Sequence, residues 1–261
     1  MGEEGRAQEV SAPRRADPDG GSSPQRSGAA DRADERGLAP PRQPFLFVHA
    51  ALWVFGAAVC AVWFRLRARR RPAPFPRGAL VVAANHVSYL DPLVLGLAVR
   101  RRVTFMVTST VFDSPGYRLW MRVFGCIRVQ DGATNVEAMR QALAVLARGR
   151  VVGIFPEGGI SDDGRLREGQ LGVASLLLQS GAPVLTAAII GTHEALPRGG
   201  GFPKRLPVDV RFSRLVEPDV LVHDLVPREA RRVLRDAVMA AIAEQLPARM
   251  GGQLAESSPS R

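Results

Sequence analysis

Cysteine is scarce in this chain: Cys60 and Cys126 are the only two among 261 residues. One lies in an apolar run and the other stands alone, so neither a disulfide framework nor a multi-thiolate zinc site is available. A reduced, intracellular setting is compatible with that scarcity. The Gly-x-Ser-x-Gly elbow of a serine hydrolase is also missing, and the nearest stretch, GVAS at 172–175, has the wrong spacing. No internal repeat is present. Stacking aromatics are absent from the most basic run, residues 65–77, apart from Phe75, which argues against nucleic acid as a partner.

What is present is enough apolar material for one sizeable core, with hydrophobic residues at 46%. The formal charge of +10 is unevenly placed. Residues 1–43 carry seven Arg against eight Asp and Glu, whereas RLRARRRPAPFPR at 65–77 carries six Arg and no acid. The first segment has no apolar period and is expected to be disordered, because it cannot bury enough surface to offset its ordering entropy.

Between these two segments lies FLFVHAALWVFGAAVCAVWF, Phe45 to Phe64, with no formal charge except at His49. A bilayer core of about 30 Å needs roughly 20 helical residues, so the run is just long enough to span. It begins too far from Met1 for a signal peptide, and no lipoprotein cleavage box precedes Cys60. A single span, an interfacial or hairpin-like anchor, and a buried core helix are the three readings. Trp63 at the end of the run suits an interfacial ring, and Arg65 to Arg71 are expected to rest on anionic headgroups. Positive charge stays preferentially on the cytoplasmic side, which puts the rest of the chain there.

Beyond Gly78, short apolar runs alternate with amphipathic stretches. Strands are expected at 80–84, 103–107, 151–155 and 183–190, with an outer strand at 207–212. Helices are expected at 88–99, 115–124, from about 134 to Gly149, at 169–180, and from Pro227 to about Leu246. This order predicts an α/β domain with a largely parallel sheet flanked by helices.

The first strand breaks into NHVSYLDP, residues 85–92. In a parallel α/β sheet ligands bind at the carboxyl ends of strands, and His86 falls just past such an end. Five residues on a continuous helix turn side chains about 140° apart, so His86 and Asp91 meet only across a turn. Pro92 favours that turn. Two readings stay open: Asp91 or Ser88 caps the helix while the histidine is satisfied by a carbonyl, or His86 is a general base oriented by Asp91. FPEGGIS at 155–161 puts a Pro156-Glu157-Gly158 corner at the carboxyl end of another strand, on the same rim.

Together these blocks resemble the glycerolipid (lysophospholipid) acyltransferase superfamily, the lysophosphatidic acid acyltransferases in particular. NHVSYLDP is similar to its Asn-His-x4-Asp block and FPEG to its third block; FGCIRV (124–129) and GAPVLTAAIIGT (181–192) sit where the second and fourth fall. The likeness covers roughly residues 75–215. It implies an acyltransferase domain, expected over 78–247, between the membrane anchor and basic run at 44–77 and a polar tail at 248–261. It implies transfer of a fatty acyl group from coenzyme A or acyl carrier protein to a lipid hydroxyl, lysophosphatidic acid becoming phosphatidic acid, with no cofactor beyond the acyl donor. His86 would take the hydroxyl proton and Asp91 would orient it. Pro156, Glu157, Gly158, Ser88 and Arg128 would line the acceptor site. Membrane lipids and the acyl donor are the expected partners, at the cytoplasmic face of the cell membrane. Another lipid acceptor, or lipid binding without catalysis, is the alternative.

Two departures bear on the acceptor. The third block commonly reads Phe-Pro-Glu-Gly-Thr-Arg-Ser, and here Gly159 and Ile160 replace the Thr-Arg pair before Ser161. The second block usually carries an Arg where this chain runs Val129, Gln130, Asp131. Arg128, Arg165 and Arg167 are the cations that can compensate.

Overall fold

A computed structural model describes residues 46–112, 121, 124–130, 135–223 and 225–251. Its strands are β1 (Arg67–Arg69), β2 (Leu80–Ala84), β3 (Val103–Thr108), β4 (Ile127–Val129), β5 (Val151–Ile154), β6 (Val184–Ile190) and β7 (Asp209–Val216). They form one sheet in the order β1-β7-β6-β2-β5-β3-β4. The pairing of β6 with β7 is antiparallel and the rest are parallel, so the sheet is mixed, with a parallel centre around β2.

The five longer helices are α1 (Leu46–Trp63), α2 (Asp91–Val99), α3 (Val136–Ala147), α4 (Gly172–Ser180) and α5 (Pro227–Ala243). They cover both faces of the sheet, which explains why β2 reads LVVAA with no polar residue: all five side chains are buried. The pleat divides them. Val81 and Ala83 enter the layer filled by α3, α4 and α5, while Leu80, Val82 and Ala84 face α2 and the end of α1. Each fully buried Val or Leu side chain contributes about 1.5–3 kcal/mol, so a one-residue slip of β2 is strongly disfavoured. In α5 the buried residues Ala230, Leu234, Val238 and Ile242 recur every fourth position, giving the helix its core face.

The membrane-spanning reading of Phe45–Phe64 is corrected: among the described residues no helix is long and apolar enough to cross a membrane. Helix α1 has 18 residues, about 27 Å at 1.5 Å per residue, against a hydrocarbon core of about 30 Å. One face of its second half, Gly56 and Cys60, is buried on the domain, as is Phe64 directly after it. A Cβ on Gly56 would lie 3.1 Å from Leu93 of α2. The opposite face, Val54, Phe55, Val59 and Val62, is exposed.

The arginine run that follows contributes a strand to the fold. Arg67–Arg69 pair with Asp209–Arg211 of β7, and the Arg69 guanidinium donates to Asp209 at 3.3 Å. An edge strand made of exposed arginine resists pairing with another chain. The expected helices at 88–99 and 169–180 begin later, at Asp91 and Gly172. The helix expected at 115–124 falls mostly outside the described residues, as do residues 1–43 and most of the expected tail. Ala248–Gly251 of that tail is a single helical turn.

Candidate active site

Where β2 ends, Asn85 continues the sheet with its side chain. Its amide donates to Ile189 O at 3.0 Å and accepts from Ile189 N–H at 2.7 Å, mimicking one more rung of the β2–β6 ladder. The chain then turns at His86. Asp91 Oδ2 accepts from Val87 N–H and Ser88 N–H, both at 2.7 Å, and contacts His86 Nδ1 at 2.9 Å. Those amide bonds hold 87–90 out of the helix, which explains the late start of α2. Asp91 is therefore the first helical residue, and its carboxylate lies at the favourable end of the helix dipole.

Asp91 is 0% exposed, whereas the His86 side chain keeps 15% of its surface accessible. A carboxylate offers only lone pairs, so Nδ1 is the nitrogen that donates a hydrogen bond to Asp91. The imidazole stacks on Phe155, with centroids 4.1 Å apart and planes 17° from parallel. Phe105 stacks on the far side of Phe155 at 5.8 Å. The ring is thus fixed by an aromatic face and by a carboxylate.

The segment after β5 holds the His86 backbone as well. Glu157 Oε1 accepts from His86 N–H at 2.8 Å, and Ser161 N–H donates to His86 O at 2.8 Å. Glu157 Oε2 accepts from Arg167 N–H at 3.0 Å. Burial pushes the Glu157 carboxyl up to about 7, against the pull of those two N–H donors and with a smaller push from nearby Asp91. Gly158 has φ of 72°, the left-handed conformation that favours glycine, and a Cβ there would sit 2.1 Å from the flexible end of the Gln170 side chain. Pro156 is buried, and its carbonyl accepts from Gln170 N–H at 2.8 Å.

Several sequence expectations change accordingly. His86, Asp91, Pro156, Glu157, Gly158 and Ser88 are brought together. Glu157, expected to line the acceptor site, has both oxygens engaged by backbone N–H groups. Ser88 is fully buried, donates from Oγ to Leu196 O at 2.7 Å and accepts from Leu90 N–H at 3.2 Å. Both tie the loops together. Arg128 is exposed on β4, three strands from β2, or about 14 Å at 4.8 Å per strand. It is opposite Val107, on the same rim but apart from the cluster. Arg165 is exposed, with its N–H on Asp163 at 2.9 Å. Arg167 reaches back, its Nη1 lying 3.6 Å from where a Cβ on Gly159 would be. Of these three arginines it is the one placed at the glutamate corner. Sequence reasoning assigned no role to Asn85, Phe155 and Gln170. The signal for Asn85 was a polar residue closing a fully apolar strand.

Residues 67–190 match the family model described as Acyltransferase. This region is similar to the acyltransferase family. All of the clustered blocks fall within the match. A 1-acyl-sn-glycerol-3-phosphate acyltransferase of Chlamydomonas reinhardtii is 28% identical over 195 residues, 73% of this chain and 55% of that protein. A chloroplastic 1-acyl-sn-glycerol-3-phosphate acyltransferase of Brassica napus is 28% identical over 121 residues, 46% of this chain and 35% of the relative. The chain thus spans roughly a third to a half of the length of these relatives. The acyltransferase fold is shared with the crystal structure of the 1-acyl-sn-glycerophosphate acyltransferase PlsC from Thermotoga maritima. That likeness has a TM-score of 0.62 at 19% identity and covers 89% of this chain and 90% of the other.

Proposed function

We propose that this chain transfers a fatty acyl group from a thioester, on coenzyme A or acyl carrier protein, to the free hydroxyl of a lysophospholipid, converting lysophosphatidic acid to phosphatidic acid. The observation that carries the reading is the 2.9 Å contact between His86 Nδ1 and the fully buried Asp91. In the proposed reaction the acceptor hydroxyl oxygen attacks the thioester carbonyl carbon while His86 Nε2 takes the hydroxyl proton. The new C–O bond forms, the tetrahedral intermediate collapses with loss of the C–S bond, and the thiolate leaves with the proton returned by the imidazolium. Asp91 stabilises that imidazolium, and no acyl-enzyme is required. Glu157 and Ser161 are positioning residues that clamp the His86 peptide. Arg167 supplies the cation for an acceptor phosphate in place of the family's Thr-Arg pair.

The same proposal puts the domain at the cytoplasmic face of a membrane. The exposed apolar face of α1 and the arginines at its exit support that placement.

The test uses full-length protein, labelled acyl-CoA and acyl carrier protein, and a panel of lyso-lipids with and without phosphate. Transfer to lysophosphatidic acid is expected, with His86→Ala lowering it by about a thousandfold. Full transfer by the His86→Ala protein would remove the general base, and no transfer to any acceptor would favour a lipid-binding protein without chemistry.

A further inference from the structure

The connection between β6 and β7 carries a loop that the acyl-transfer reading leaves unused. Lys204 N–H donates to Ala195 O at 2.8 Å and closes its base. Within it a tight turn is closed by Gly200 N–H on Pro197 O at 2.9 Å, with Gly199 at φ 81°. Three glycines then lead to Phe202, which is 79% exposed. The loop is held against the end of α1, where the Trp63 indole N–H donates to Pro203 O at 3.2 Å. The Phe202 and Trp63 rings meet edge to face at 6.2 Å. Val59 and Val62 extend this apolar surface along α1. Its rim is basic, with exposed Lys204 and Arg205 on the loop and exposed Arg65 and Arg67 at the exit from α1. The nearest acids in these segments, Glu194 and Asp209, are paired with Arg249 and Arg69.

We propose that the 196–206 loop is a membrane-inserting element, with Phe202 and Trp63 entering the headgroup–acyl boundary of an anionic bilayer while the basic rim meets lipid phosphates. An exposed apolar tip inside a cationic ring matches that boundary in polarity and in charge. The loop also reaches the site: Ser88 Oγ donates to Leu196 O at 2.7 Å, and just before the loop His193 Nδ1 lies 3.4 Å from Val87 O. Insertion therefore fixes how the His86–Asp91 turn sits above the lipid surface. The inference rests on the proposed function only in taking the acceptor from the membrane.

The native thiols Cys60 and Cys126 are buried, so a thiol-reactive nitrobenzoxadiazole dye can be directed to a Phe202→Cys variant of the full chain. The comparison is Val220→Cys. Val220 is 80% exposed, on the short helix Pro218–Val222 that packs through Val222 into the other core layer. On phosphatidylcholine vesicles enriched in phosphatidylglycerol, the label at 202 is expected to shift blue and brighten by about threefold or more, and to be quenched by doxyl groups in the upper acyl chain. The response is expected to weaken on neutral vesicles, and the label at 220 to stay water-like. Phe202→Ser is expected to lower vesicle affinity about fivefold without changing thermal unfolding.

A label at 202 that stays water-like on vesicles, or labels at 202 and 220 that respond alike, would overturn the proposal. So would a blue shift before vesicles are added, because residues 1–45 or a second copy would then already cover the loop. Insertion without acyl transfer by the unlabelled chain would contradict the proposed function and leave this inference standing.

Discussion

Two neighbouring parallel strands, β2 and β6, each run into a turn that carries a histidine, and the two turns touch. His86 follows β2 with Nδ1 on the buried Asp91 carboxylate at 2.9 Å. His193 follows β6 with Nδ1 3.4 Å from Val87 O. A carbonyl can orient a ring, but it has no full charge with which to stabilise an imidazolium. His193 is also packed against the chain: a Cβ on Gly164 would lie 2.8 Å from its Cδ2. Position at the carboxyl end of a strand is therefore shared by both histidines, and the buried carboxylate is what separates a candidate base from a filler.

Asp91→Asn attacks that difference most directly. The amide keeps the size and one acceptor oxygen, so the N–H groups of Val87 and Ser88 can still be met. With that oxygen in the place of Oδ2 the His86 Nδ1 contact is kept as well, and what is lost is the charge that stabilises the imidazolium. Acyl transfer is expected to fall about a hundred- to a thousandfold while the fold persists. Steady-state rates beside thermal unfolding check this. An active Asp91→Asn protein would make the two histidines equivalent and remove the basis for choosing His86.

That pair was legible in the sequence because two local signals coincide there. An all-apolar strand stops at Asn85-His86, and Pro92, which suits a first helical turn, marks where the next helix begins. The centre of the sheet was legible for the same reason: β2, β3, β5 and β6 are short apolar runs bounded by polar or turn residues. The edges were hidden. Arg67–Arg69 has no apolar alternation, and pairing with a strand about 140 residues away makes it β structure. The bonding of Glu157 was hidden too. A Pro-Glu-Gly corner looks the same whether its carboxylate faces a ligand or two backbone amides, and the partners His86 and Arg167 come from separate segments. Length alone was equally weak for α1, because one face of an all-apolar helix is taken by the domain.

Glu157 gives the comparison a pH axis, since it holds the His86 turn. Its folded value of about 7 exceeds the ordinary 4.5, so between those values the folded chain holds a proton that the unfolded chain releases. Stability from this group is present below the lower value and is lost as pH rises through the upper one. The loss amounts to on the order of 3 kcal/mol if no other group compensates. Glu157→Gln does not titrate, so denaturant midpoints measured from pH 4.5 to about 7 are expected to fall less steeply than in the parent. Parallel slopes would mean that the two N–H donors keep the carboxylate ionised throughout.

The smallest effect is expected from His193→Ala, and its smallness is informative. The substitution removes a ring that contacts Gly164 and approaches Val87 O, without touching Asp91, Glu157 or Phe155. Lost packing at a partly exposed position costs about 1 kcal/mol of stability, and the transfer rate should stay within about threefold of the parent. Measured under conditions where Asp91→Asn has lost two orders of magnitude or more, that result would locate the base on the β2 turn. A loss comparable to that of Asp91→Asn would instead show that the contact between the turns carries function, with His193 holding the Val87 peptide and through it the donors on Asp91.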